Sequence, residues 1–188
     1  PAGNIRLSPF ITAVNHPPLM TATEVGIQIH HEATVDCLPG VASYVGADIT
    51  AGVLSSGTFE TEKLTLFLDI GTNGEVVLGN RDWLVCASSS AGPAFEGSCI
   101  SMGMRATTGA IAQVKAENGS FKCRVLGNTA PKGICGSGLV DAVAVGLSGQ
   151  RIRDDGMILN SNGSFTLCPP VELSQADIRE LQVAKAAI

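Results

Sequence analysis

The sequence contains few charged residues, few aromatic residues and no long apolar run. Of its 188 residues, 15% are charged and 4% are aromatic, and only 12 are basic against 17 that are acidic. So few cations argue against nucleic-acid binding, because a protein that follows a phosphate backbone needs many cationic contacts. No apolar stretch approaches the roughly 20 residues that cross a bilayer, and the N-terminus lacks the features of a signal peptide. We therefore expect a soluble, cytoplasmic protein without a nucleic-acid or membrane partner.

The cysteines lack the spacing of a metal site. No pair has the C-x-x-C separation that is typical of zinc and iron-sulfur ligands. A disulfide framework is not expected either, because a chain that is 45% hydrophobic does not need covalent cross-links to build its core. The pattern predicts free, buried thiols and no cofactor. The six cysteines are Cys37, Cys86, Cys99, Cys123, Cys135 and Cys168.

Proline content divides the chain into two parts. Residues 1–40 are proline-rich and weakly periodic, which predicts irregular structure with short strands. Residues 44–54 predict a helix of small residues packed closely on a neighbour, so that 1–60 form the first predicted domain. The adjacent His30 and His31 would point to opposite faces of a strand, so they are predicted to lie at the surface rather than to bind a metal. Residues 61–188 form the second predicted domain.

The two ends of the sequence indicate that this chain is a piece of a longer polypeptide. The chain begins at Pro1 without a methionine, and the apolar pattern of its last residues predicts a helix without a stop signal. Ser174 is the predicted N-cap of this helix, Asp177 lies in its first turn, and Leu173 is placed as a hydrophobic staple.

The second part begins with three predicted strands. Apolar runs at 64–70, 75–78 and 83–87 are separated by short turns rich in glycine, asparagine and aspartate. Strands that short turns join predict an antiparallel meander.

Further along, the pattern predicts two hairpins and two helices. Asn-Gly pairs at 118–119 and 162–163 suit type I′ turns, which predicts hairpins around them. Pro93, in a loop of small residues, predicts a helix start. The apolar run 139–147 has the length and composition of a buried helix.

The turn Asp69-Ile-Gly-Thr-Asn-Gly-Glu75, between the first two predicted strands, is suited to binding phosphates. Its glycines allow positive φ and a close approach of the ligand, and its threonine and asparagine add side-chain donors. Asp69 would bind Mg²⁺, through water as that ion prefers, and Glu75 would orient an attacking or metal-bound water. The alternative is a hairpin whose residues only satisfy turn geometry. The predicted phosphate contacts are Gly71, Thr72, Asn73 and Gly74.

A second glycine-rich turn, Gly133-Ile-Cys-Gly-Ser-Gly138, directly precedes the predicted helix at 139–147. The N–H groups of a helix N-terminus are a site for phosphate, or for an adenine and its ribose. The alternative is tight packing of the helix on a strand, with Cys135 as a small buried side chain rather than a nucleophile. The predicted ligand contacts are Gly133, Gly136, Ser137 and Gly138.

Two charged residues near these motifs leave alternatives open. Arg105 suits a salt bridge or a carbonyl contact as well as a phosphate contact. Asp141 either favours the dipole of its helix or faces a ribose hydroxyl.

The order of the two turns resembles the second phosphate motif and the adenosine motif of the acetate kinase, sugar kinase, Hsp70 and actin superfamily. Together with Ala91-Gly-Pro-Ala-Phe-Glu-Gly97, Gly103-Met-Arg105 and the 175–187 segment, they look like the C-terminal domain of reductive activators of corrinoid proteins. The resemblance implies an α/β fold: the RNase H-like half of an actin/Hsp70/sugar kinase-type ATPase, with a mixed sheet, an antiparallel meander and flanking helices. It also implies that Gly92 belongs to the nucleotide site.

The function implied by this resemblance is ATP-dependent reduction of a corrinoid protein from Co(II) to Co(I). ATP and Mg²⁺ would bind in a cleft of which this chain forms one half. A [2Fe–2S] domain and the first phosphate motif would lie upstream in the same polypeptide, and the parent would be a homodimer. A partner-docking or dimerisation module with vestigial nucleotide motifs is the alternative, and a small-molecule kinase is a weaker one.

Overall fold

The computed structural model describes residue 7, residues 10–117 and residues 119–188, and it divides into two compact units. The first unit comprises Pro1–Asp69 and Glu75–Ser88, and the second comprises Ile70–Gly74 and Ser89–Ile188. Helices and antiparallel strands are both present, which confirms the predicted mixed α/β class.

The first unit is built around a short helix. Two-residue strands β1 (Met20–Thr21) and β2 (Thr34–Val35) pair antiparallel, and helix α1 (Ala47–Ser56) follows. Ile49 is buried on this helix and packs with Val45 and Val77. The small-residue helix predicted at 44–54 is therefore present, shifted by two to three residues.

The predicted meander is present as a three-stranded sheet. Its strands are β3 (Thr65–Ile70), β4 (Asn73–Asn80) and β5 (Trp83–Ser90), in that order across the sheet. Two-residue connections join them, so consecutive strands run antiparallel. The first connection is the turn that carries the predicted phosphate motif.

The second unit combines a hairpin, a short parallel strand and a helix. Strands β6 (Ala110–Glu117) and β7 (Ser120–Val125) form the antiparallel hairpin predicted around residues 118–119. Asn118 itself lies outside the described residues. Strand β8 (Gly133–Ile134) runs parallel to β6 and leads into helix α2 (Gly136–Ser148), so the predicted helix is present but begins within the glycine-rich motif, three residues earlier than predicted.

The chain then forms a second hairpin and a final helix. Strands β9 (Ser164–Cys168) and β10 (Val171–Ser174) pair antiparallel, and helix α3 (Gln175–Ala187) follows directly. Fully buried apolar side chains from these elements and from β6, β8 and α2 form one core. Its largest members are Ile111, Ile134, Leu139, Val171, Leu173 and Ile178.

The N-terminus of α3 has the predicted capping arrangement. The Asp177 N–H donates to Ser174 Oγ at 3.3 Å, and the Ser174 N–H donates to Asp177 Oδ2 at 2.8 Å. Asp177 is buried and also accepts hydrogen bonds from the N–H and the hydroxyl of Ser101, both at 2.7 Å. Burial raises the pKa of Asp177, but the hydrogen bonds from Ser101 and Ser174 outweigh it and hold that pKa below its ordinary value.

Two secondary-structure predictions are wrong. Residues 93–99 form consecutive turns rather than the helix start predicted at Pro93. The predicted hairpin around 162–163 does not form, because β9 pairs with β10 instead, although Gly163 does sit in a turn that closes on Asn160.

The cysteines also differ from the prediction of free, buried thiols. Cys123 on β7 and Cys168 on β9 form a disulfide, with their Cα atoms 6.5 Å apart. Cys99 is exposed, and among the four free thiols only Cys135 is fully buried. The disulfide joins neighbouring strands that are 45 residues apart in sequence, a proximity that spacing alone does not reveal.

Tight packing of α2 on β6 leads to a first prediction. A side chain at Gly138 would overlap the carbonyl of Ile111, a backbone atom that cannot rotate away. We expect Gly138→Ala to lower the free energy of unfolding by about 1–3 kcal/mol, the range for overpacking a core. Thermal unfolding measures the loss, and Gly40→Ala is the control, because the nearest atoms to an added side chain there are 3.8 Å away. Equal stability of the two variants would contradict the close packing.

Candidate functional site

The predicted phosphate turn is anchored to the loop that follows β5. The Thr72 carbonyl accepts hydrogen bonds from the Ala91 N–H at 3.1 Å and the Gly92 N–H at 2.8 Å. Gly92 has φ +79°, a conformation that other residues rarely adopt. The resemblance had placed Gly92 in the nucleotide site, and its observed contact is with the backbone of the turn.

A side-chain hydrogen bond joins the same two segments. The Thr72 hydroxyl donates to Glu96 Oε1 at 2.6 Å. The other oxygen, Glu96 Oε2, is buried and has no hydrogen-bond partner among the described residues. A side chain at Gly71 would come within 3.4 Å of Glu96 Oε1, so the absence of one leaves room for the carboxylate.

Close backbone packing fixes the residues on both sides of Glu96. The Phe95 carbonyl lies against the Cα of Gly136, where any side chain would overlap it. Gly97, with φ +83°, lies against Gly103 and the Met104 N–H. The position of the Glu96 backbone therefore depends on two glycine contacts, not on a helix or a strand.

The N-terminus of α2 opens beside this loop. Its N-cap residue, Cys135, caps no backbone N–H of the first turn with its side chain, and its thiol lies 3.4 Å from the Ser137 hydroxyl. The Ser137 hydroxyl donates to the Ala112 carbonyl at 2.9 Å, so its proton is already engaged. The N–H groups of this first turn and the helix dipole make the end of α2 electropositive.

These elements line one open cleft of about 620 Å³ within the second unit. It brings together residues of both predicted motifs, an acidic residue and a basic one. The lining residues that matter most here are Thr72, Glu96, Arg105, Cys135, Gly136 and Ser137.

Several predicted contacts lie elsewhere. Gly138 packs against the Ile111 carbonyl of β6, which is tight helix–strand packing, and Gly133 packs against the Met102 carbonyl of a neighbouring turn. Gly74 is buried and Asn73 is exposed at the start of β4. Neither lines the cleft.

The two predicted catalytic carboxylates belong to the first unit. Asp69 is exposed near the end of β3. Glu75 is half-buried on β4, and its Oε1 accepts a hydrogen bond from the Ser88 hydroxyl at 2.9 Å. No group of three or more potential metal ligands is found in the described part of the chain.

The two residues with open alternatives have different surroundings. Arg105 is exposed and lines the cleft. Asp141 accepts a hydrogen bond from the Val114 N–H at 3.1 Å, so it joins α2 to β6. The observed contact of Asp141 is thus a structural one within the second unit.

Glu96 is the residue that sequence reasoning missed. It lies within the Ala91–Gly97 motif, but the expectation of a helix there gave no reason to single out its side chain. A glutamate directly before a glycine, in a loop of small residues, was the available signal. Its importance depends on Thr72 and Gly136, which are distant in sequence.

Comparisons with known proteins agree on one family. Residues 63–188 match the family described as the C-terminal domain of RACo, the ASKHA domain, and residues 1–61 match the RACo middle region. Within the described residues, no helix is both long and apolar enough to cross a bilayer.

Individual relatives are similar over most of this chain. The corrinoid activation enzyme RamQ of Eubacterium limosum is 37% identical over 98% of this chain and 35% of its own length. A Methanosarcina barkeri protein named [Co(II) methylated amine-specific corrinoid protein] reductase is 32% identical over 80% of this chain and 32% of its own.

A solved structure has the same fold. It is titled reductive activator for corrinoid,iron-sulfur protein, and it superposes with a TM-score of 0.87 at 43% identity. The alignment covers 98% of this chain and 33% of the solved one, so the chain spans about a third of the length of the relatives it matches. This chain therefore belongs to the family of the RACo C-terminal ASKHA domain, joined to RACo middle-region sequence.

Proposed function

We propose that this chain is the ATP-binding half-domain of an ATP-dependent reductive activator of corrinoid proteins. The family match and the activities named for the relatives support this assignment. The parent would reduce an inactive Co(II) corrinoid by one electron to Co(I), with the electron supplied by a [2Fe–2S] domain elsewhere in the polypeptide. The corrinoid protein would be its partner and the parent a homodimer.

The observation that carries the nucleotide assignment is the shared cleft. Thr72 of the first motif, together with Gly136 and Ser137 of the second, lines it. In the ASKHA superfamily, according to the resemblance, these two motifs contact the phosphates and the nucleoside. Neighbouring placement of the two motifs is what a nucleotide site requires.

The residues present fit a Mg²⁺-nucleotide. Arg105 and the uncapped first turn of α2 offer cationic and N–H donors, which suit phosphate oxygens. The unpaired buried oxygen of Glu96 offers a negative acceptor, which suits a hydrated cation. When bound, ATP would supply the phosphoanhydride bond whose hydrolysis drives or gates electron transfer.

Specific roles follow for the predicted site residues. Asp69 would hold Mg²⁺ through water, and Glu75 would orient a water. Gly71, Thr72, Asn73 and Gly74 would follow the phosphates, while Gly92 would support that turn. Gly133, Gly136, Ser137 and Gly138 would shape the nucleoside end.

An absorbance assay tests the proposed function directly. The full-length protein is mixed with a Co(II) corrinoid protein and a chemical reductant, and the Co(I) band is followed with and without Mg-ATP. We expect Co(I) to accumulate only when a hydrolysable nucleotide is present. Equal reduction with a non-hydrolysable analogue would contradict an ATP-driven role.

An exposed apolar surface on the first unit favours a second candidate, a docking module. Leu66 on β3 is 55% exposed and Val85 on β5 is 56% exposed, and Leu68 and Trp83 are also exposed. Side chains of this kind often mark protein interfaces. Light scattering separates the candidates, because a stable dimer that ignores ATP supports docking, whereas ATP-dependent changes support the nucleotide role.

A further inference from the structure

One carboxylate oxygen in the cleft is buried without a donor. Glu96 Oε2 has no hydrogen-bond partner among the described residues, while Glu96 Oε1 accepts the Thr72 hydroxyl at 2.6 Å. A buried polar atom left unpaired destabilises a protein, and more so when it is charged. Buried carboxylate oxygens in native proteins are therefore almost always paired with a donor, a water or a cation.

The backbone on both sides of Glu96 is fixed by the contacts of Gly136 and of Gly97 with Gly103, and the Thr72 hydroxyl holds one carboxylate oxygen. Glu96 is half-buried and lines the cleft, while Oε2 itself has almost no accessible surface. A partner from the cleft therefore reaches this oxygen after a small shift of the side chain.

The chemistry of the cleft limits what that partner is. A phosphate oxygen has no proton to donate at neutral pH and carries negative charge, so it cannot satisfy a carboxylate. Water satisfies it, whether free or coordinated to a divalent cation, because Mg²⁺ keeps several of its waters when it binds with a nucleotide.

We propose that Glu96 orients a water in the Mg²⁺-nucleotide site, through a hydrogen bond from that water to Oε2. This rests on the proposed function. Oε1 keeps the Thr72 hydroxyl in place at the same time, so one side chain couples the phosphate turn to the water. The water is either a ligand of Mg²⁺ or the nucleophile of ATP hydrolysis.

The test is Glu96→Gln in the full-length protein. Glutamine keeps an oxygen acceptor for Thr72 and replaces Oε2 with an N–H₂ group, which donates where an acceptor is needed. We expect ATP hydrolysis at subsaturating Mg²⁺ to fall roughly 100-fold, the scale for loss of one positioned polar group. Thermal stability without nucleotide should not fall, since the contact with Thr72 remains and the substitution removes an unpaired buried charge.

Metal binding distinguishes whether the water is a ligand of Mg²⁺ or the nucleophile. Mn²⁺ binding in the presence of ADP is measured by electron paramagnetic resonance. If Oε2 contacts a metal-bound water, Mn²⁺ affinity falls about tenfold and excess Mg²⁺ restores hydrolysis. If Oε2 orients the nucleophile, Mn²⁺ affinity is unchanged and hydrolysis stays low at every Mg²⁺ concentration.

A second Thr–Glu pair in the same unit provides the matched control. Thr166 donates to Glu172 Oε1 at 3.0 Å in the exposed β9–β10 hairpin. Glu172→Gln makes the same chemical change away from the cleft. It should leave hydrolysis and Mn²⁺ binding as in the wild type.

Three results would overturn the role of Glu96. The first is that Glu96→Gln hydrolyses ATP and binds Mn²⁺ as the wild type does. The second is that Glu96→Gln loses thermal stability without any kinetic effect, which indicates a purely structural residue. An equal loss in Glu172→Gln would show that the effect is not specific to the cleft. Failure of the proposed function looks different, because the wild-type protein itself would then not bind Mg-ATP.

Discussion

Replacing Asp69 with alanine is expected to reduce Mg-ATP hydrolysis by the full-length protein at least about 100-fold. In the proposed site, Asp69 would hold Mg²⁺ through water; it lies near the end of β3, next to the turn that is proposed to contact the phosphates. Without this carboxylate the metal is bound less tightly, and the charge on the phosphates is less well neutralised. Calorimetric titration with Mg-ATP and a phosphate-release assay measure the two effects.

Asp82→Ala is the matched control for this experiment. Asp82 is an exposed aspartate in the connection between β4 and β5, one turn further along the same meander. We expect its removal to leave nucleotide affinity and hydrolysis unchanged. Unaltered affinity and hydrolysis in Asp69→Ala would remove Asp69 from the site and, with it, the phosphate assignment of the turn.

Replacing Asp177 with alanine is expected to lower the free energy of unfolding by about 3 kcal/mol. The substitution removes the capping interaction with Ser174 and the two hydrogen bonds that the buried carboxylate accepts from the N–H and the hydroxyl of Ser101. Thermal unfolding measures the loss. Glu180→Ala, an exposed change on the same helix, should have little effect.

The stability contributed by Asp177 should also depend on pH. Its pKa in the folded protein lies below the ordinary value of 3.8, so the carboxylate stabilises the fold above that pH. The contribution is lost as the pH falls through the folded pKa. Asp177→Asn should therefore lose less stability than the wild type between roughly pH 5 and pH 2. Parallel pH profiles for the two proteins would contradict this account.

The sequence predicted the elements whose signals are local. The meander follows from runs such as 64–70, whose composition and flanking turns are sufficient to identify strands. The α3 start is set by Ser174 and Asp177, three residues apart, and it was found where the capping pattern placed it. Helix α2 likewise follows from an apolar run after glycines.

Long-range contacts explain the wrong predictions. Pro93 suits a helix, but the loop around it is held as turns by Gly136 and Gly103, which come much later in the chain. The strand that begins at Ser164 pairs forward with β10 because the core there buries Phe165, Leu167 and Leu173.

The candidate site was predicted only in part, for the same reason. Motifs revealed Thr72 and the start of α2, yet the sequence did not show that the Thr72 hydroxyl is engaged by Glu96. The glycines of the second motif were ambiguous between ligand contact and packing. The tertiary structure distinguishes the two roles, since Gly136 lines the cleft and Gly138 packs on Ile111.

Hydrogen–deuterium exchange of the full-length protein, with and without Mg-ATP, tests the central claim most directly. If this chain forms half of an ATP site, nucleotide should slow exchange in peptides covering 70–75, 89–97 and 133–138 together. The β9–β10 hairpin, 164–174, should be unaffected and serves as an internal control. The account is contradicted if saturating Mg-ATP slows exchange in other parts of the protein but leaves the exchange rates of all three segments unchanged.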